Sequence, residues 1–173
     1  MSAKVFEIDD TGDAAFRKLM KEIGLVADLD VKVGFIQDNH GNRLGTEDSI
    51  TNAQVAYYQE FGVPDKIPAR PFLIPAVKQT QPQVADTLRQ GLRVALGVAG
   101  DPNGIHRAMM QCGAIIRDRA KKNIVDQVGF KPLSPRTLRE RRKAGFAGKK
   151  ALIRTGQLLG AIQFQLNDEN GKS

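Results

Sequence analysis

"KIPARPFLIPA" (Lys66–Ala76) crowds three prolines, an arginine and four large apolar side chains into eleven positions, and its reading decides what the flanking segments can be. Proline fixes φ, lacks an amide donor and drives the residue before it toward extended conformations, so Pro68 and Pro71 hold Ile67 to Arg70 out of any helix. With Gly62 and Pro64 upstream, "FGVPDKIPARPFLIP" is expected to be a stiff, extended strap between a helix ending near Phe61 and another beginning near Phe72. In this reading Pro71 starts the second helix, Phe72 seats the strap in the core, and Arg70 points outward as an anchor for a neighbouring carboxylate.

Upstream of the strap, "NAQVAYYQEFG" reads as a short helix with Val55, Ala56, Tyr58 and Phe61 inward, capped by Ser49 or Thr51 and stopped by Gly62. Before it, "DVKVGFI" (30–36) alternates Val31, Val33 and Phe35 on one face as a strand does, and residues 37–49 read as a polar loop or a wide hairpin-like connection. An amphipathic helix is expected over 13–27, from Phe16, Leu19, Met20 and Ile23.

Downstream, Ala76, Thr80, Val84, Leu88, Leu92 and Leu96 recur every fourth position, which predicts a long helix, kinked at Pro82 if it begins as early as Phe72. "GVAGDPNG" breaks it. Asp101 then reads as the N-cap of a second long helix whose stripe is Ile105, Met109, Cys112, Ile116, Ala120 and Ile124. Residues 129–150 lose the periodicity and read as a basic loop or arm holding a short helix at "SPRTLRERRKA", with Ser134 as cap and Pro135 at its first position. A helical turn over Thr155 to Leu159 and a strand carrying Ile162, Phe164 and Leu166 close the chain. The expected fold is α+β: one domain over 1–173, a small antiparallel sheet of the two strands, two long helices on one face, and the 129–150 arm.

Composition narrows the function classes. Hydrophobic residues make up 41% and charged residues 26% of 173 positions, near globular averages. A single cysteine, Cys112, allows no internal disulfide, and no Cys/His cluster has metal spacing. No apolar run reaches membrane-spanning length, and "MSAKVFEIDD" lacks the pattern of a signal peptide. The net charge of +7 is concentrated between Lys131 and Lys150, where eight basic residues face one acid, Glu140. Such a segment is either a solvated or protein-contacting arm or an electrostatic footprint for nucleic acid. His40 and His106 have no companion at ligand spacing, Cys112 falls on an apolar stripe, and no phosphate-cradling glycine motif is present, so neither an enzyme nor a cofactor protein is expected.

Three separated pieces then fit together. "YQEFGVPDKIPARPFLIPAV" resembles the central signature of the small neck and tail-completion proteins of long-tailed bacteriophages, in which a "VKVGF"-type strand, a loop, a helix ending in "EFG" and an "IPARPF" strap lead into a long helix. "KPLSPRTLRERR" and "ALIRTGQLLGAIQFQL" resemble the C-terminal half of the same proteins, a pair shared with phage virion-morphogenesis proteins. The resemblance runs from about Val31 to Leu166. It departs from the pattern in the polar loop 37–49 and in ending seven residues after Leu166.

The resemblance implies a virion structural protein made in the host cytoplasm. It would form a homo-oligomeric ring, commonly sixfold, that joins the connector to the tail tube or tail terminator around the DNA channel. The contact residues then expected are Ile67, Arg70 and Phe72 on the strap, Arg136, Arg139, Arg141, Arg142 and Lys143 on the arm, and Thr155, Gln157 and Leu158 on the turn. The rival expectation is a small cytosolic DNA-binding protein that uses the same 131–150 segment.

Overall fold

Leu29–Gly34 (β1) pairs antiparallel with Gln163–Asp168 (β2), setting Val31 opposite Leu166 and Val33 opposite Phe164. Residues of one register parity share a face, so these four apolar side chains line one side while Asp30, Lys32, Gln165 and Asn167 line the other. The alternation in each segment, though the two lie far apart in the chain, therefore fixes which face of each strand is apolar and excludes a one-residue slip between them. A two-stranded ribbon is marginal alone and needs a helix against its apolar face. The computed structural model describes residues 17, 24, 29–36, 50–97, 101 and 103–168. Of the helix expected over 13–27, only Arg17 and Gly24, both helical, are among them; the loop 37–49 lies outside them.

Among the described residues, five helices lie between the strands: Asn52–Phe61 (α1), Leu73–Leu96 (α2), Gly104–Asp126 (α3), Pro135–Lys143 (α4) and Gln157–Gly160 (α5). Helix α3 lies on the sheet at Gly113, where an added Cβ would stand 2.5 Å from the Phe164 ring and 3.0 Å from Val31 Cγ1. Helix α2 packs along α3 as an antiparallel hairpin. The direction is plain from the contacts: Gly91 meets Gly104 and Ala108, Cys112 Sγ reaches Val84 O at 3.7 Å, Arg119 donates to Gln79 at 2.7 Å, and Asn123 donates to Phe72 O at 3.2 Å. The result is the α+β arrangement read from the sequence.

Several boundaries move. Helix α2 begins at Leu73 with Phe72 as its N-cap, so Pro71 precedes the helix instead of starting it, while Pro75 sits in the first turn, where an amide donor has no intrahelical partner. The helix continues through Pro82 as one element. Asn103, not Asp101, is the N-cap of α3; Asp101 instead accepts the Asn103 amide at 2.9 Å and pairs with Arg107. Helix α5 starts at Gln157, two residues later than expected, because Gly156 enters it at φ +79°. Ser134 does cap α4, accepting the Thr137 amide at 3.1 Å with Pro135 at the first position, and Thr51 caps α1 in a reciprocal box with Gln54.

The fourfold stripe of α2 holds for only half its length. Ala76 and Thr80 are buried, but Leu92 and Leu96 are exposed, and Gly91 and Ala95 take the interior. Every fourth residue advances about 40° round a helix of 3.6 residues per turn, so a strict period of four drifts off the contact face. The small residues are what the crossing requires. A Cβ at Gly91 would stand 2.3 Å from that of Ala108, and one at Gly104 would stand 2.9 Å from Gly91 O. Two small-xxx-small pairs, Gly91/Ala95 and Gly104/Ala108, thus let the backbones approach.

The main core cluster joins Ala56, Phe72, Ala76, Ala120, Ile124, Leu158 and Ile162. Phe72 is at its centre, as expected of it, with Phe35 edge-on at 6.5 Å between ring centroids.

Candidate subunit-contact site

The strap is tied at its C-terminal end by hydrogen bonds to a buried carboxylate. Glu60, in the last turn of α1, accepts the amides of Phe72 (2.8 Å) and Leu73 (3.0 Å) on Oε2 and that of Ile74 (2.8 Å) on Oε1. These are donors that the start of α2 leaves without partners, and Phe72 as N-cap has no side-chain acceptor to offer. A carboxylate from the preceding helix does the capping and also meets the positive end of the α2 dipole.

Between the two helices the chain is not extended throughout. Val63 to Ile67 closes a tight turn with Pro64 second and Asp65 third at φ +59°, and Val63 and Ile67 exchange backbone bonds of 2.8 and 2.9 Å. Proline followed by a left-handed residue is the pairing a type II turn uses. The turn lies so close to the returning chain that a Cβ on Gly62, at φ +76°, would be 2.8 Å from Ala69 N.

Arg70 corrects an expectation. It is 6% exposed and turned inward, not outward. Its guanidinium donates to Lys131 O (3.0 Å), Gln59 Oε1 (3.1 Å) and Pro132 O (3.5 Å), and its amide donates to Gln59 O at 2.6 Å. Burial lowers its pKa from the ordinary value. A fork of five donors can satisfy several carbonyls at once, and carbonyls converge here because the 131–132 segment passes over the strap. What Arg70 holds is the base of the basic segment.

That segment is fastened elsewhere too. The Gln127 side chain brackets Ala151, donating to its carbonyl (3.0 Å) and accepting its amide (2.6 Å). Lys150 Nζ donates to Val125 O at 2.8 Å, and Arg141 folds the 144–150 loop onto α4 by donating to Lys150 O (2.8 Å) and Gly148 O (3.3 Å). The Arg154 guanidinium lies 4.7 Å over the Phe146 ring. The basic segment is an ordered excursion closed at its root.

Strap, excursion and the α5 turn meet at a cleft of about 350 Å³. Its apolar lining comes from Val55, Ile67, Pro68, Leu133, Leu152 and Leu158, and Lys66, Arg70, Arg141 and Arg154 supply its cations; among the described residues Glu140 is the acid in the concavity that adjoins it at Arg141 and Arg154. Of the eleven residues singled out from sequence, Ile67, Arg70, Arg141 and Leu158 come together here. Phe72 belongs to the core beneath. Arg136, paired with Glu140 at 3.0 Å, and Arg139, Arg142, Lys143 and Thr155 lie exposed outside the cleft, and Gln157 is half-buried beside Leu158.

Sequence reasoning missed Lys66, Gln59 and Arg154, whose shared cleft exists only after the chain folds. It also misplaced the aromatic face of α1. That helix buries Asn52, Ala56 and Glu60, leaving Tyr57, Tyr58 and Phe61 exposed by 62%, 44% and 59%. Their rings cluster, with Tyr57 4.9 Å from Phe61 and 6.0 Å from Tyr58. The cause is the capping role of Glu60: turning α1 to bury Phe61 would carry the carboxylate away from α2.

Among the described residues no group of three His, Cys, Asp or Glu is placed to hold a metal ion, and no helix is long and apolar enough to cross a membrane. Fold and site together define a small α+β protein whose shaped surface consists of a stiff strap, a fastened basic excursion and the cleft between them. Compared with known protein families, curated proteins and solved structures, the chain has no match.

Proposed function

We propose that this chain is a structural subunit of the head-tail junction of a long-tailed bacteriophage, assembling as a ring between connector and tail. The observation that carries the reading is that contacts tie the resembling pieces internally and, through Arg70, to each other across 61–62 residues. Glu60 of "EFG" caps the helix that follows "IPARPF", and Arg70 of "IPARPF" holds the carbonyls of Lys131 and Pro132 in "KPLSP". A subunit that must dock without reordering benefits from loops shaped in advance, since each side chain immobilised on docking costs about 0.5–1.5 kcal/mol. Electron microscopy of particles made without this protein is expected to show filled heads lacking joined tails. Normal tailed particles would overturn the proposal.

A second reading is favoured by the exposure of Arg139, Arg142, Lys143 and Lys149 along the excursion, which suits contact with duplex phosphates. It predicts tight duplex binding by the isolated chain, weakening steeply as salt rises in a gel-shift series. Weak binding with a shallow salt slope restricts these charges to contacts inside the particle.

A further inference from the structure

Two of the three clustered aromatics, Tyr57 and Phe61, face away from the cleft, and Tyr58 lies between them and it. Val55 and Gln59 line the cleft, whereas Tyr57 and Phe61 lie two positions on, about 200° round α1. Three neighbouring aromatics exposed together make the kind of patch that marks a protein contact and supplies its strongest residues. Beside them is a carboxylate: Asp65, exposed at the tip of the 63–67 turn, rims the same shallow concavity as Phe61.

From these features we infer that the occupant of the cleft is a second copy of this chain, whose Tyr57/Phe61 face enters between strap and excursion. The inference rests on the reading of the chain as an assembly subunit and names the contact through which it assembles. The two surfaces are complementary in chemistry. Aromatic rings meet an apolar floor formed by Val55, Ile67 and Leu133, and they meet cations, Lys66 and Arg154, that interact favourably with ring faces. Arg154 already takes that role toward Phe146. Asp65 brings opposite charge to a lining that carries four cations, Lys66, Arg70, Arg141 and Arg154, with Glu140 as the acid at its Arg141/Arg154 edge. Tyr57 and Phe61 are not part of the cleft lining, although Lys66, Ile67 and Pro68 of the strap border both surfaces, so each copy can give one and receive the other. Such a head-to-tail contact closes into a ring when its rotation permits.

Charge reversal tests the contact at two exposed positions. Sedimentation velocity over rising concentration reads self-association of the full-length chain, and thermal melts confirm that each variant folds. Tyr57→Arg sets a cation against the cleft and Arg154→Glu removes one from it; each single change is expected to raise the dissociation constant at least tenfold. The double variant is expected to recover most of the loss, because its new arginine faces its new glutamate. If both single variants associate like the unmodified chain, this interface is wrong while the assembly reading stands. If both dissociate and the double variant does not recover, the two patches do not face each other and the inference falls. An unmodified chain that stays monomeric to millimolar concentration also overturns the interface, leaving the junction role to the particle images.

Discussion

Glu60 and Arg70 show how much of this fold hangs on two charged side chains buried beside the strap. Removing the carboxylate with Glu60→Ala leaves three amides at the start of α2 without an acceptor and takes a negative charge from the helix N-terminus. Losing a cap of this kind costs about 1–2 kcal/mol, and stranding buried donors adds to it. In urea unfolding the midpoint is expected to fall at unchanged slope, with Glu60→Gln intermediate because one oxygen remains; an unmoved midpoint for the alanine variant would show that water replaces the carboxylate freely. Arg70→Ala is expected to cost roughly 1.5–3 kcal/mol, the worth of hydrogen bonds from a charged donor. Arg70→Lys should recover little, since an ammonium cannot reproduce the fork that spans Gln59 and the Lys131 carbonyl. A lysine variant that melts like the unmodified chain would mean that charge, not geometry, is what the site needs.

At the scale of elements, the α2–α3 crossing depends on what is missing from its side chains. Gly91→Val would drive branched carbons into Ala108 and is expected to destabilise by at least the 1–3 kcal/mol typical of overpacking. Leu92→Gln, one position away on a residue 37% exposed, should stay within about 0.5 kcal/mol. The reverse ranking in thermal melts would put the leucine stripe back in the interface. The two positions also show what was legible in the sequence and why. Caps at Ser134 and Thr51 were readable because a cap is decided within four residues, and the strand pair was readable because alternation is local to each strand. The buried face of α2 was misread beyond its midpoint because the leucines follow a period of four and the helix does not. Arg70 and the α1 aromatics were misread because their orientation is fixed by partners up to 62 residues away. The turn joining α2 to α3 carries a pH signature of its own. The Asp101 carboxyl is held below its ordinary pKa by the Asn103 amide first and by Arg107 second. A depressed folded-state value means its contribution is complete above the ordinary carboxylate value of about 3.9 and is lost as pH falls through the lower one. Acid titration followed by amide exchange should therefore loosen the first turn of α3 in that window, and Asp101→Asn should remove the dependence. An identical acid profile for the variant would assign the loosening to another carboxylate.

For the whole molecule, the question is whether the basic excursion belongs to the same cooperative unit as the helices or opens separately. Its fastenings to the body are mainly polar, with Arg70 on the carbonyls at 131 and 132, the Gln127 bracket on Ala151 and Lys150 on Val125 O, while Phe130 at its entry packs against the core. Helix α4 contributes no buried residue to the core. A unit held more by hydrogen bonds than by apolar burial sits toward the low end of local stability, so residues 131–150 are expected to open without unfolding α2 and α3. Gln127 is the place to test this, because it ends α3 in the left-handed region at φ +57° and also fastens the root of the excursion. Asparagine tolerates that backbone but is one methylene shorter, so Gln127→Asn keeps the helix terminus while losing the reach to Ala151. Losing two such bonds, each worth about 0.5–1.5 kcal/mol net, should speed amide exchange across 131–150 by about 10–100-fold. Exchange in α2 and α3 should be unchanged. Equal acceleration in the long helices would make the excursion part of the global unit, and no acceleration would show that Arg70 and Lys150 hold it without the bracket. The expected outcome also bears on assembly: an excursion fastened at its root presents its arginines in fixed positions before any partner arrives, and the Asn variant should fold normally yet dock more slowly.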